Sequence, residues 1–389
     1  MNGTIYMPVG EVCSSISDTY REKKNMVTLI NTSDVLEGRV LNHERVPNSN
    51  LKGQFKKTFQ RDDILYSEIR PQNRRFAYVD FSPIDYIAST KLMVIRAKKD
   101  VVSPKYLYYF LKNSSTVAEL QLLAETRSGT FPQITFSEVA NLTIPVPSLA
   151  VQEVIVQTMQ CLEDKITCNE QINDNLYAQA KAIFDNHFIN IDAIPAGWRK
   201  GNLLDIANYL NGLAMQKFRP QGNEIGLPVL KIKELRQGSC DDSSELCSLS
   251  IKPEYIIHDG DVVFSWSGSL LVDIWCGGTC GLNQHLFKVT SDIYDKWFYY
   301  LWTAHHLARF IAIAADKATT MGHIKREELA KAEVLIPCEE DYTSLTSIMQ
   351  PIFELIISNR IEARKLAALR DELLPKLMSG EIDVSDVQC

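Results

Sequence analysis

Residues Ser148–Phe188 read SLAVQEVIVQTMQCLEDKITCNEQINDNLYAQAKAIFDNHF, and this stretch decides the fold because the chain contains it twice. The longer segment Ser128–Phe188 aligns with Ala318–Met378 at one constant shift in numbering. Each copy passes from a proline-bounded, strand-like run, Asn141–Pro147 or Lys331–Pro337, into a long segment without glycine. A shift shared over so long a segment indicates an internal repeat, and an internal repeat governs the whole fold assignment.

Both glycine-free segments have the apolar spacing of a coiled-coil helix. Apolar residues recur every three or four positions, and a polar residue interrupts the seam at the same place in each copy, Asn169 and Asn359. We therefore expect helices over about 149–188 and 339–378. In an antiparallel pair their midpoints face each other, so the two amides are expected within hydrogen-bonding reach, where they fix the register. The alternative is that both lie exposed at the edge of the seam.

Length and composition indicate several globular domains. At 389 residues the chain is too long for one ordinary core, and 45% hydrophobic with 23% charged residues is typical of globular proteins. No run approaches the roughly eighteen apolar residues of a membrane-spanning helix. The first residues lack a basic start followed by an apolar core, so no export signal is expected. Nine cysteines at irregular spacing favour free thiols in a reducing compartment, so we expect a cytoplasmic protein.

The net charge of −7 is unevenly distributed along the chain. Residues 1–145 contain 19 basic and 15 acidic residues, whereas 146–194 contain 2 and 7, and 338–389 contain 5 and 10. The helical segments thus carry most of the net negative charge, and the first globular half is mildly basic. A whole-chain charge says little about any one face, so this pattern gives only weak support for nucleic-acid binding.

The segments between the helices are also duplicated. Residues 1–147 show short β-type runs separated by polar turns, followed by helical segments, and residues 191–337 repeat this order. Asp62–Ser67 resembles Gly260–Ser265, Tyr106–Leu111 resembles Trp297–Trp302, and Gly38 resembles Gly238. We therefore predict an α+β fold with two homologous domains related by a pseudo-two-fold internal repeat and joined by two long antiparallel helices. The predicted segments are a first domain 1–147, a helix 148–190, a second domain 191–337, a helix 338–380 and a tail 381–389.

No motif for catalysis or cofactor binding is found. The chain lacks a GxxxxGK(S/T) phosphate loop, a GxGxxG dinucleotide fingerprint, a GxSxG nucleophile elbow and the Asn/Asp-Pro-Pro-aromatic run of amino-methyltransferases. Cys276 and Cys280 lie near His258 and His285, but their spacing differs from that of zinc sites, which favours ordinary buried thiols. We expect no catalytic residue, no cofactor and no metal.

Basic residues gather in both domains, mostly in the connections that differ between the two copies. Such clusters are commonly solvated surface, but variable loops on a duplicated scaffold are also where phosphates and bases are contacted. The candidates are Lys56, Lys57 and Arg61 in a polar connection, Arg70, Arg74 and Arg75 after a strand, Lys217 and Arg219 in a loop, and Lys231 and Lys233 alternating along a strand.

Several motifs stand in a characteristic order along the chain. They are Gly129–Ile134, Leu142–Pro147, Gly260–Val263, Ser267-Gly268-Ser269, Asn283-Gln284-His285 and Glu372–Gly380. In these motifs, their order and their duplication, the chain resembles the specificity subunit of type I restriction–modification enzymes over essentially its whole length. The chain departs from that family's Pro-Leu-x-x-Gln helix entry, which is Pro147–Gln152 here and is lost at Pro337–Asp341. Asp62-Asp63 also lacks the glycine of Gly260-Asp261.

The resemblance implies a protein that reads a bipartite, gapped DNA site and catalyses nothing itself. Each globular half would be a target-recognition domain, and the coiled-coil helices would hold the domains apart and bind two methyltransferase subunits. Methyl donor and ATP would be bound by those modification subunits and by restriction/translocase subunits, and no membrane partner is implied. Ser267 and Ser269 join the ten basic residues as candidate DNA contacts.

Two other classes of protein fit the same residues. One is the recognition subunit of a type IIB-like system, whose partner fuses nuclease and methyltransferase and which this chain alone does not distinguish. The other is a non-DNA adaptor that uses its coiled coil as a partner-binding rod. Neither the recognised bases nor the gap length follows from the sequence, because loop contacts to bases obey no code readable from residue type.

Overall fold

The computed structural model describes residues 4–22, 24–49, 53–127, 130–316 and 324–384. The chain divides into two compact units, one formed by Met1–Asp164 with Ala367–Cys389, the other by Lys165–Leu366. Gly129 of the first motif, Ser128 and Ala318 at the starts of the repeated segment, and residues 385–389 of the predicted tail lie outside the described residues.

Two helices are far longer than the others, as the glycine-free segments predict. A π-helical turn, Asp185–Ile189, extends the first of them, so both observed spans match the predicted ones to within a residue. The described α-helices are α1 Val9–Val12, α2 Pro104–Lys112, α3 Ser114–Arg127, α4 Phe136–Asn141, α5 Leu149–Phe184, α6 Leu203–Ile206, α7 Ile232–Gln237, α8 Lys296–Asp316, α9 Arg326–Ala330 and α10 Glu339–Ser379.

The first unit contains two four-stranded sheets, with strand orders β6-β3-β10-β7 and β2-β11-β8-β9, and a two-stranded pair β1-β12. A short hairpin, β4-β5, completes the strands described there. The bounds are β1 Ile5–Pro8, β2 Cys13–Ile16, β3 Met26–Ile30, β4 Val35–Leu36, β5 Arg39–Val40, β6 Arg45–Pro47, β7 Phe55–Lys57, β8 Ile64–Ser67, β9 Phe76–Tyr78, β10 Tyr86–Ser89, β11 Leu92–Ala97 and β12 Thr143–Val146.

The second unit repeats the two four-stranded sheets and the two-stranded pair, and the hairpin β4-β5 has no counterpart among its described strands. Its four-stranded sheets are β16-β15-β20-β17 and β14-β21-β18-β19, and its two-stranded pair is β13-β22. The bounds are β13 Arg199–Asn202, β14 Asn208–Asn211, β15 Leu227–Leu230, β16 Leu246–Cys247, β17 Ile256–Ile257, β18 Val262–Ser265, β19 Leu271–Ile274, β20 Cys280–Leu282, β21 Leu286–Thr290 and β22 Glu333–Ile336.

Strand direction confirms that the two domains share one fold. In each unit the two central strands of one four-stranded sheet run parallel, β3 with β10 and β15 with β20, while the outer strands pair with them antiparallel. Identical order and direction in two separate units indicate duplication of one α+β scaffold, as the sequence repeat predicts. The division into domain, helix and tail segments at the stated residues stays a prediction.

The aromatic clusters singled out in the sequence form cores. Pro104 occupies the first turn of α2, and Tyr106, Leu107 and Tyr109 behind it are buried against the sheet that contains β8 and β11. In α8 the equivalent Trp297 and its neighbours are buried in the same way. Removing such large apolar surfaces from water is the main stabilising contribution to each domain.

Three local expectations are wrong. Lys231 is the N-cap of α7 and Lys233 lies inside that helix, because Glu234 bonds the Lys231 amide at 3.2 Å and ends strand β15 at Leu230. Lys56 and Lys57 lie in strand β7 instead of a connection. The run Asn283-Gln284-His285 before Leu286 also has a strand-like sequence, but Gln284 and His285 form the turn between β20 and β21.

Within the second unit, α5 and α10 run antiparallel. The Asn169 Nδ2 donates to Glu362 Oε2 at 2.7 Å, and one turn further along α5 the Asn173 Oδ1 accepts from Asn359 Nδ2 at 3.0 Å. As the residue number on α5 rises from 169 to 173, the number of its partner on α10 falls from 362 to 359. The two helices therefore run in opposite directions. Asn169 and Asn359 are 1% and 9% exposed, so they are buried seam residues and not exposed edges, but they do not bond each other.

Candidate nucleic-acid interface

The most prominent basic turn of the first unit is Arg70–Arg74. Arg70 and Arg74 have φ of 45° and 51°, a left-handed backbone that side-chain-bearing residues rarely adopt, and they flank the 3-10 turn Pro71–Asn73. The Arg70 amide donates to the Pro132 carbonyl at 3.1 Å, which holds the turn, while its side chain is exposed. Strain retained in a well-held surface turn is a feature of functional loops. Arg70 is therefore presented to solvent with its guanidinium available.

The neighbouring arginines are engaged in the fold. The Arg74 Nη2 donates to Ser114 Oγ at 2.9 Å, and the Arg75 Nη1 donates to the Ser33 carbonyl at 3.0 Å. These bonds order the side chains but leave donors free, since a guanidinium carries five N–H groups. Arg61 is exposed in the turn before β8, on the opposite end of that strand from the Arg70 turn. The structure thus does not bring Arg61 together with Arg70, Arg74 and Arg75.

Lys56 and Lys57 have different environments although they are adjacent. Lys56 is exposed, whereas the Lys57 Nζ donates to the carbonyls of Thr90 and Leu92 at 3.1 and 2.8 Å. Burial lowers the pKa of Lys57 from its usual value. Its ammonium holds the β10–β11 turn, so Lys56 is the member of the pair that is free to meet a phosphate.

In the second unit three of the basic candidates are neutralised by carboxylates. Arg219 Nη2 bonds one oxygen of Glu245 at 2.6 Å and Lys231 bonds the other. The Lys231 ammonium, followed by Arg219, holds the pKa of Glu245 below its usual range. Lys233 bonds Ser243 Oγ at 2.7 Å and the Asp241 carboxylate at 3.3 Å. These are exposed ion pairs worth little in stability, so a polyanion can compete for the cations.

The remaining candidates of the second unit differ in exposure. Lys217 ends a 3-10 turn and is exposed. Ser267 is 5% exposed, and its carbonyl accepts from Ser265 Oγ at 3.2 Å, so its side chain is set inside the fold. Ser269 is exposed beside Gly268, whose φ of +66° makes the turn there. Ser269 can reach a ligand without rearrangement, whereas Ser267 supports the turn.

The structure brings together residues that the sequence did not single out. In the first unit Arg45 Nη2 lies 3.4 Å from Asp85 Oδ2, and Tyr20 donates to the other oxygen of that carboxylate at 3.2 Å. Beside them Ile84 is 73% exposed. We call Arg45, Ile84 and Asp85 the first edge cluster, since Arg45 lies on the sheet-edge strand β6.

An equivalent cluster lies at the equivalent edge of the second unit. Arg219, Lys231 and Glu245 adjoin edge strand β16, and Ile225 is 86% exposed in the loop that Glu224 ties to Leu249. We call Arg219, Ile225, Lys231 and Glu245 the second edge cluster. Each cluster joins a cation, a carboxylate and a solvent-facing aliphatic side chain, groups that can contact phosphates, cytosine amino groups and thymine methyls. Arg45 lies 40 residues from Asp85, and Arg219 lies 26 residues from Glu245, so no linear motif indicates either cluster as a group.

Among the described residues no group of three or more His, Cys, Asp or Glu side chains could hold a metal ion. Cys280 is buried, Cys240 beside it is half-buried, and burial raises the pKa of Cys276 to about 11. The same described ranges include no helix that is long and apolar enough to cross a membrane.

Comparison with known families gives a match over both halves of the chain. A model of the family described as "Type I restriction modification DNA specificity domain" matches residues 6–178 and again residues 195–369. The two matches include both domains and most of both long helices. They therefore follow the internal repeat.

Two curated proteins and a crystal structure are similar over most of their length. The chain is 26% identical to the type I restriction enzyme HindI specificity subunit of Haemophilus influenzae, covering 92% of this chain and 94% of that protein. It is 27% identical to the type I restriction enzyme MjaIX specificity subunit of Methanocaldococcus jannaschii, covering 79% and 77%. The crystal structure of a type I restriction–modification system S subunit from M. genitalium has the same fold, with a TM-score of 0.54, 14% identity and coverage of 97% and 96%.

Proposed function

This chain belongs to the type I restriction modification DNA specificity family, and from that premise we propose that it selects the DNA sequence on which a type I restriction–modification complex acts. The observation that carries the proposal is the duplicated domain. Two copies of one scaffold, with the same strand order and different surface loops, suit a protein that reads two different short sequences. The chain itself serves as a non-catalytic recognition component in the cytoplasm.

Each domain reads one half of a bipartite site. Its edge cluster meets the DNA: the arginine contacts a guanine edge, and the carboxylate and the exposed aliphatic side chain contact neighbouring base edges. Lys56, Arg70, Lys217 and Ser269 add contacts from neighbouring exposed turns. In the second domain DNA replaces Glu245 as the partner of both cations, with a base edge for Arg219 and a phosphate for Lys231. This frees the Glu245 carboxylate to accept from a base.

The long helices serve as spacer and docking surface. At 1.5 Å per residue the 36 residues of α5 extend about 54 Å, more than one turn of B-DNA, so the two half-sites are separated by an unread gap. Modification subunits, two in number, bind the helices and carry the methyl donor. Restriction/translocase subunits join that assembly and carry ATP hydrolysis and cleavage.

The test is a methylation map with one domain altered at a time. The chain is co-expressed with the modification subunit encoded beside it, and methylated adenines are located across the host genome. Arg45→Ala is expected to relax the base preference of one half-site only, and Arg219→Ala that of the other. The matched controls, Lys99→Ala and Lys200→Ala, each remove an exposed cation from an ion pair, with Asp62 and Glu333 respectively, away from the edge clusters.

Two results would contradict the proposal. If the wild-type chain supports no sequence-specific methylation with its partner, it is not a DNA specificity subunit. If Arg45→Ala and Arg219→Ala leave both half-sites as sharply read as the controls do, the edge clusters are not the reading surface. Binding of the purified complex to its site should also weaken steeply with added salt, because phosphate contacts release counterions.

A further inference from the structure

A layer of polar residues interrupts the apolar seam between α5 and α10 in the second unit. We call Lys165, Asn169, Asn173, Asn359 and Glu362 the polar layer. Glu362 Oε2 accepts from Asn169 Nδ2 at 2.7 Å and lies 3.3 Å from Lys165 Nζ, and Asn359 Nδ2 donates to Asn173 Oδ1 at 3.0 Å. The Asn173 Nδ2 also donates to the Ile356 carbonyl at 3.2 Å. Every one of these bonds crosses from one helix to the other.

The polar layer contains two buried amides, those of Asn169 and Asn359. Asn169 is 1% exposed and Asn359 is 9% exposed, and the Asn169 Oδ1 has no hydrogen-bond partner. The hydrogen bond from Asn169, followed by the Lys165 ammonium, holds the pKa of Glu362 below its usual range, so this carboxylate stays ionised and accepting. An amide in such a position is tolerated because a facing group satisfies its donors, and it is costly wherever that group is absent.

The residues one heptad away on either side of the layer are apolar. We call residues spaced seven apart on one helix a row. In each row that contains an amide of the layer or its acceptor, one polar residue lies between two apolar residues. The rows are Leu162, Asn169 and Leu176; Ile166, Asn173 and Ala180; Ile352, Asn359 and Leu366; and Leu355, Glu362 and Leu369. Within these four rows, apolar pairing alone would therefore fit almost equally well if one helix slid by a heptad.

A slip of one heptad displaces one helix by about 10 Å, since each residue rises 1.5 Å. It would set Asn169 against Leu355 or Leu369, and Asn173 against Ile352 or Leu366, with no acceptor or donor to meet them. Each stranded amide disfavours the slipped alignment by about tenfold or more. The polar layer thus distinguishes alignments that the apolar rows do not.

We propose that the polar layer fixes the alignment of the two helices and thereby the length of the gap between the two DNA half-sites. The link between helix alignment and gap length rests on the function proposed above. A displacement of about 10 Å corresponds to about three base pairs at 3.4 Å each, so a slipped pair would read half-sites about three base pairs closer or farther apart. The layer residues act as positioning residues, with no contact to DNA required.

The test uses the full chain with the layer made apolar. The variant Asn169→Leu, Asn173→Leu, Asn359→Leu and Glu362→Leu removes both partners of the Asn169–Glu362 and Asn173–Asn359 bonds and leaves the Lys165 side chain, which is 49% exposed, to solvent. It is therefore expected to melt no lower than the wild type. Spin labels at the exposed positions Gln179 and Lys365, one on each helix, report the alignment through their separation. The wild type should give one distance, and the apolar variant an additional distance from a pair displaced by about 10 Å.

The second measurement is the gap length in methylated DNA, mapped with the modification subunit co-expressed. The apolar variant should methylate sites with the native gap and sites about three base pairs longer or shorter. Glu362→Gln is the matched control: the glutamine carbonyl still accepts from Asn169, so one label distance and one gap length are expected. If the fourfold variant does not fold, Asn173→Leu with Asn359→Leu removes one bonded pair and is measured in the same two ways.

The outcomes separate the two proposals. A single label distance in the apolar variant overturns the alignment role, whatever happens to methylation. Two label distances with one unchanged gap length overturn the link between alignment and gap. A wild-type chain that directs no methylation overturns the proposed function, while the label distances still decide whether the layer aligns the helices.

Discussion

Replacing Arg364 with alanine removes the most extensively bonded contact between α10 and the second domain. The Arg364 Nη1 and Nη2 each meet one oxygen of Asp259 at 2.8 Å, and Nη1 also donates to the Cys276 carbonyl at 2.6 Å. After the substitution Asp259 keeps the Gly278 amide as a hydrogen-bond donor, at 2.7 Å. The carbonyl of Cys276 loses its guanidinium partner at the same time.

The expected loss follows from geometry and exposure. A bidentate, charge-assisted pair is among the stronger hydrogen-bonded contacts, at about 1.5–3 kcal/mol for a bond to a charged group. The two side chains are 33% and 26% exposed, so solvent screening reduces the total and we expect about 2 kcal/mol. For a unit of roughly 200 residues that lowers Tm by about 4–8 °C.

The pH dependence has a definite sign. Burial alone would raise the pKa of Asp259, but hydrogen bonds from Arg364 and the Gly278 amide outweigh it and hold the pKa below its usual range. A carboxyl with a depressed folded-state pKa contributes its full stability above the unfolded value of about 3.9 and loses it as pH falls through the folded value. The difference between wild type and Arg364→Ala should therefore be full at neutral pH and shrink below about pH 4.

Thermal unfolding by circular dichroism, at pH 7 and in steps down to pH 3, measures both effects. Arg364→Lys should recover part of the loss, since it keeps the charge without the two-pronged geometry. Lys376→Ala on the same helix is the control, because its ion pair with Glu372 is exposed and should cost little. The reasoning is refuted if Arg364→Ala melts within about 1 °C of the wild type, or destabilises an Asp259→Ala background just as much.

Three further outcomes are expected. Gln152→Ala should lower Tm by several degrees in thermal melts, because a side chain with 0% exposure accepts from the Ser103 amide and donates to two carbonyls. Lys57→Ala should lower Tm and leave the DNA affinity of the folded variant little changed, whereas Lys56→Ala should leave Tm little changed and weaken DNA binding. Thermal melts and a salt titration of DNA binding distinguish these effects. Equal Tm values for the two variants would contradict the different roles assigned to Lys56 and Lys57. Iodoacetamide at pH 8 should modify exposed Cys168 in the native chain while buried Cys13, whose pKa burial raises to about 12, is modified only after unfolding, as peptide mass spectrometry would show.

Sequence alone predicts the long helices well because their defining property is local. A heptad spacing that continues over a long segment without glycine predicts both the type and the length of α5 and α10. The partners of Asn169 and Asn359 were not predictable in the same way. Equating helix midpoints places the pair one turn away from the observed register, in which Asn173 meets Asn359 and Asn169 meets Glu362. Register depends on which side chains satisfy each other across the seam, and the midpoints do not encode that.

The candidate interface was predicted less completely for a different reason. Basic residues are visible in a sequence, but their partners are not, so Lys57 and Arg70 look alike until the carbonyls around Lys57 are placed. Conversely, the sequence does not indicate Arg45 as a candidate, because Asp85 lies 40 residues away and contacts Arg45 only in the folded sheet. Exposure and pairing are tertiary properties, whereas residue type is all that a single sequence provides.

The start of α10 shows how a lost motif can hide a retained contact. Gln152, at the entry to α5, ties that helix to the amide of Ser103 just before α2, at 2.8 Å. At the shift that relates the repeats the equivalent residue is Tyr342, and the motif is gone. Yet the Tyr342 hydroxyl accepts from the Asp295 amide at 2.6 Å and donates to its carboxylate at 2.8 Å, just before α8. A different side chain thus closes the same junction, because what the fold requires there is a polar group that reaches an unsatisfied helix N-terminus. Although the helix-entry motif is lost at α10, Tyr342 makes the same kind of contact there that Gln152 makes at α5.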